Sequence, residues 1–74
     1  MASSTYKGSR DHIAAAEQLE KAAQCHREAA RMFESGDARK GAEQAQMAQS
    51  CEAKAQQHGS AAAQADKEVN RQQG

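Results

Sequence analysis

Five side chains in this sequence are capable of metal or thiol chemistry: His12, Cys25, His26, Cys51 and His58. Imidazole and thiolate groups are the ordinary ligands of Zn²⁺ and Cu⁺, and Met47 adds a soft sulfur. If the chain doubles back near residues 35–38, positions whose numbers add to about 73 lie level. His26 then faces Met47, with Cys51 about one turn away. Cys25 and Cys51 are offset by about 4.5 Å along the axis, and His12 and His58 by a comparable amount. Two features oppose a metal site. Cys25 and His26 are neighbours on a helix and point about 100° apart, and no Cys-x-x-Cys spacing occurs. A Cys25–Cys51 disulfide requires Cα atoms within about 7 Å; buried free thiols are the alternative. His26 holds the repeat position that Leu19 and Phe33 fill on either side, and His12 falls on the same register. His26 is therefore expected at a helix interface, as a partly buried imidazole bonded to a neighbour, a metal ligand or a pH-sensitive contact. No paired-carboxylate cleft, phosphate-binding glycine loop or Ser-His-Asp set can be assembled, which points away from an enzyme.

The elements that would position these groups are helices. Proline is absent, and from Ser9 onward the chain is dominated by Ala, Gln, Glu, Lys and Arg, all strong helix formers. The spacing predicts a flexible tail over residues 1–8, a first helix over about 10–35, a turn at Ser35-Gly36-Asp37, a second helix over about 38–63 or longer, and a tail at 72–74. Ser9 is suited to cap the first helix, with Asp11 in its first turn. Gly36 suits the left-handed position that ends a helix, and Asp37 the cap of the next. Gly59 leaves open whether the second helix breaks, and beyond about residue 63 that helix is expected to outrun its partner.

A seven-residue repeat runs through the first helix. Its expected seam is Ala16, Leu19, Ala23, His26, Ala30 and Phe33, stepping three and four residues, with Ala15, Ala22 and Ala29 widening the small-residue face. The second helix carries a less regular stripe that includes Ala45, Ala48, Cys51 and Ala55. A turn this short makes the two helices antiparallel neighbours. The fold expected is all-α: an antiparallel helical hairpin.

Two resemblances attach to these residues. Phe33-Glu34-Ser35-Gly36-Asp37 followed by Ala42, Ala45 and Ala48 resembles the middle of a tetratricopeptide repeat, which implies a shared Gly-Asp turn between helices. Cys25, Glu28 and Gly41 depart from that family's pattern. The paired alanines every seven residues, the Gly36-Asp37 turn and the Ala42–Cys51 stretch are similar to small bacterial proteins of unknown function built from Ala- and His-rich helical hairpins. That likeness covers most of residues 12–65 and implies no catalytic residue; Gln24, Gln46 and Gln57 stand where those proteins would carry histidine.

Composition narrows the function. Hydrophobic residues make up 38% of 74, but most are alanine, so little apolar area is available to bury. A lone hairpin with this content is marginal, and pairing with a second copy into a four-helix bundle is the expected remedy. Ten basic and ten acidic residues cancel, leaving no basic footprint for nucleic acid or for an anionic membrane. No apolar run is long enough for a membrane span or signal peptide, which leads to an expectation of a cytoplasmic protein with reduced cysteines. The leading expectation is a homodimeric interaction or structural module that also receives a partner protein helix. Its interface would use Ala16, Leu19, Ala23, His26, Ala30, Phe33, Ala45, Ala48, Cys51 and Ala55. The alternatives are a metal-binding or metal-sensing bundle for Zn²⁺ or Cu⁺, with ligands drawn from His12, Cys25, His26, Cys51 and His58, and a redox-sensing dimer switched by Cys25 or Cys51.

Overall fold

The computed structural model describes residues 7–73, with side chains over 8–67. Two α-helices account for nearly all of them: α1, Lys7–Glu34, and α2, Ala38–Gln73. No strand occurs among the described residues. The helices lie side by side as an antiparallel hairpin, a flat rod of 56 × 22 × 12 Å. The short dimension is about the diameter of one helix, so both broad faces of the pair are uncovered.

The turn is built with no spare residue. Ser35 N–H still donates to the Arg31 carbonyl, closing the last full turn of α1 (3.0 Å). Gly36 N–H then donates to Phe33 O at 3.1 Å and Asp37 N–H to Met32 O at 2.8 Å. That pair of bonds is the Schellman ending, and it places Gly36 at φ +91°, where a Cβ is disfavoured. Asp37 simultaneously opens α2. Its carbonyl accepts from Gly41 N–H at 3.0 Å, and its Oδ1 accepts from Lys40 N–H at 3.1 Å. One residue thus closes one helix and caps the next. The Ser35 hydroxyl adds a second bond to that same carbonyl, Met32 O (2.9 Å).

Small residues at strict seven-residue intervals make the contact between the helices. On α1 the buried positions are Gly8, Ala22 and Ala29, with Ala15 half-buried between them. On α2 they are Gly41, Ala48, Ala55 and Ala62. Ala48 and Ala62 are fully enclosed at 0% exposure. Three residues on from each lie the half-buried companions: Asp11, Gln18, Cys25 and Met32 on α1, and Gln44, Cys51, His58 and Ala65 on α2. In an antiparallel register where numbers adding to about 73 lie level, nearly every small residue meets a larger one: Gly41 with Met32, Ala48 with Cys25, Ala22 with Cys51, Ala15 with His58. Each helix supplies holes for the other's larger side chains.

This seam lies one position away from the expected one. Ala16, Leu19, His26, Ala30 and Phe33 are exposed and Ala23 is half-buried, whereas Ala22 and Ala29 form the core of α1. Leu19 and Phe33 stand 54% and 50% open. Of the stripe expected on α2, Ala48 and Ala55 are buried and Ala45 and Cys51 half-buried. The physical reason is distance. Helices that meet through glycine and alanine approach toward the close end of the ~8–10 Å range, which leaves no room for leucine or phenylalanine between the backbones.

The termini also differ. The expected tail over residues 1–8 gives way to helix at Lys7 and Gly8; its earlier part lies outside the described residues. Ser9 is therefore inside α1 rather than its cap, and Asp11 lies beyond the first turn. Helix α2 passes through Gly59 without a break and takes in positions 72 and 73. Because α1 starts early, α2 keeps a partner as far as Asp66, which His12 reaches. Val69 and Tyr6, the large apolar and aromatic side chains near the two ends, lie outside the described side chains.

Candidate functional site: a ladder of histidine–carboxylate contacts

All three histidines of the chain lean across the hairpin to a carboxylate on the other helix. His12 Nε2 lies 3.1 Å from Asp66 Oδ2. His26 Nε2 lies 3.2 Å from Glu52 Oε2. At these distances the ring N–H donates to the carboxylate, which has no proton of its own to give when ionised. His58 Nδ1 lies 3.6 Å from Asp11 Oδ1, too far for a hydrogen bond.

The three contacts differ in setting. The first two lie on an open flank, with side chains 45–59% exposed, so water screens them and each is worth about 0–1 kcal/mol. The third sits on the seam itself. Asp11 is only 18% exposed there, and its Oδ2 is buried with no hydrogen-bond partner among the described residues. Burial raises the stakes of that contact in both directions, since a buried carboxylate oxygen is costly when unmatched.

The open flank has a regular order. Stepping seven residues at a time from the turn, α1 presents Phe33, His26, Leu19 and His12. Stepping the same way, α2 presents Ala45, Glu52, Gly59 and Asp66. The two histidine contacts fix the pairing, so large apolar residues opposite small ones alternate with histidines opposite acids, one rung about every 10 Å. At the turn end the ring of Phe33 lies over Gly41. A Cβ there would meet Cδ1, Cδ2 and Cε2 at 2.8–2.9 Å, so Gly41 is required by close approach. At Gly59, by contrast, an added Cβ would meet nothing within 4 Å. Gly59 therefore borders open space on this flank, and Leu19 stands exposed on the facing helix.

The candidate metal ligands are dispersed. Among the described residues no three of His, Cys, Asp and Glu come together as a metal site. His12 and His26 occupy the flank, His58 the seam, and Cys25 and Cys51 stand half-buried on the seam as free thiols. Met47, expected to face His26, is 52% exposed on the opposite flank of α2. The acids Asp11, Glu52 and Asp66 were missed as histidine partners, although a signal existed. His12 and His26 are fourteen residues apart, and so are Glu52 and Asp66.

Comparison with protein-family models, curated proteins and solved structures gives no match. No helix among the described residues is long and apolar enough to cross a membrane.

Proposed function

We propose that the chain is a helical protein–protein interaction or structural module that acts as a homo-oligomer, two hairpins packing into an antiparallel four-helix bundle. One observation carries this. The buried hydrophobic core among the described residues is five alanines, while Ile13, Leu19, Phe33 and Met47 stand 50–60% exposed. A buried methyl contributes only about 0.8 kcal/mol. The large apolar side chains that stabilise an ordinary small domain are outside this one.

Surface area supports the same conclusion. A compact chain of this mass (7.9 kDa) exposes about 4,400 Å², and this one exposes 5591 Å². The excess is that of an elongated rod whose broad faces are uncovered. Zero net charge removes long-range repulsion between copies. The unbridged cysteines fit a reducing compartment such as the cytoplasm. Sedimentation equilibrium at micromolar concentration is the test: a dimer is expected, and a stably folded monomer throughout would overturn the proposal.

A further inference from the structure

We infer that a second copy of this chain seats on the flank that carries Leu19 and Phe33, with both turns at the same end and the two-fold axis along the rod, so that α1 of each copy crosses over α2 of the other. This rests on the homo-oligomer proposed above and adds its face and orientation.

Three observations converge. The flank is the broad face where the rungs of the hairpin alternate between apolar and charged, and the hairpin alone leaves it uncovered. A two-fold axis along the rod keeps every rung level with its own counterpart. Leu19 then faces the stretch of the second copy's α2 that leads to Gly59, and Phe33 the stretch that runs from Gly41 to Ala45. Those small residues leave room for large side chains: a Cβ at Gly59 would meet nothing within 4 Å. Histidine–carboxylate rungs fall on histidine–carboxylate rungs, so each acid gains a second imidazole beside it and no like charges are forced together.

The opposite orientation does less. With turns at opposite ends, the ladder matches both large apolar residues only when centred on the His26 rung. The overlap then covers about 20 residues of α1. Same-end pairing overlaps the full rod and lays each large apolar residue along a stretch that contains small ones.

The test compares variants on the two flanks, with dimer dissociation read by sedimentation and folding by circular dichroism. Leu19→Glu and Gly59→Lys each place a charge in the inferred contact, and both are expected to weaken self-association at least about tenfold. Gly59→Lys protects the fold, because lysine is a better helix former than glycine and the space is open. Met47→Glu, equally exposed on the opposite flank, is expected to leave the dimer unchanged. A dimer that survives Leu19→Glu and Gly59→Lys overturns the inferred face while leaving self-association intact. A wild-type protein that never dimerises overturns the broader proposal. Orientation is read by spin labels at Ser35→Cys in a Cys25→Ser, Cys51→Ser background. Two turns at one end give a separation within the bundle's width, and a longer distance overturns the same-end arrangement.

Discussion

Gly36 and Asp37 each do something that their neighbours in the sequence cannot. Gly36 holds φ +91°, so Gly36→Ala is expected to destabilise the hairpin by about 1 kcal/mol or more. Asp37→Ala removes the side-chain acceptor for Lys40 N–H and is expected to cost about 1 kcal/mol. Both are read by urea denaturation at fixed protein concentration. The seam contact between Asp11 and His58 makes a sharper test. His58→Ala leaves the half-enclosed carboxylate without its cross-helix neighbour and is expected to cost about 0.5–3 kcal/mol. The double variant Asp11→Ala/His58→Ala is expected to recover much of that, giving a measurable coupling in a double-mutant cycle. His12→Ala and His26→Ala remove screened contacts, and each is expected to cost under about 1 kcal/mol in the hairpin.

Helices α1 and α2 show what a sequence of this kind discloses and what it hides. The turn was legible, because glycine followed by aspartate between two runs of helix formers has a direct backbone meaning. The seven-residue period was legible too. Its phase was not. Two stripes of α1 share that period: one of pure small residues, Ala15-Ala22-Ala29, and one that mixes alanine with Leu19, His26 and Phe33. Hydrophobicity favours the second as core, and close approach selects the first. Periodicity cannot choose between adjacent stripes, because the choice depends on how near the backbones come. The histidine partners were hidden for the same reason, since side chains on a flank pair only once the phase is known. Close approach also makes a prediction at this scale. Ala48→Leu, at a position with 0% exposure, is expected to destabilise by about 1–3 kcal/mol through overpacking. Ala53→Leu on the exposed face of the same helix is expected to change stability by no more than about 0.5 kcal/mol. Thermal melts of the two variants at equal concentration separate them.

For the whole molecule, the decisive property is a ratio of surface to core. A rod only 12 Å thick has no interior beyond the line where its helices touch. If folding and assembly are one event, the melting temperature is expected to rise with protein concentration, which calorimetry across a hundredfold dilution series checks. A concentration-independent melt would mean that the hairpin alone holds its structure. Two helices alone enclose little volume for a small ligand.

The shared role of Asp37 has a mechanical consequence. Neither helix can slip along the other without losing a cap, so register is pinned at one end and slack accumulates toward the other, as in a zipper with a fixed stop. Two of the three cross-helix ties, His12–Asp66 and His58–Asp11, sit toward that open end. There they hold the segment where separation begins. Amide exchange along each helix should therefore quicken with distance from the turn, and removing both ties should steepen that gradient without disturbing the pinned end.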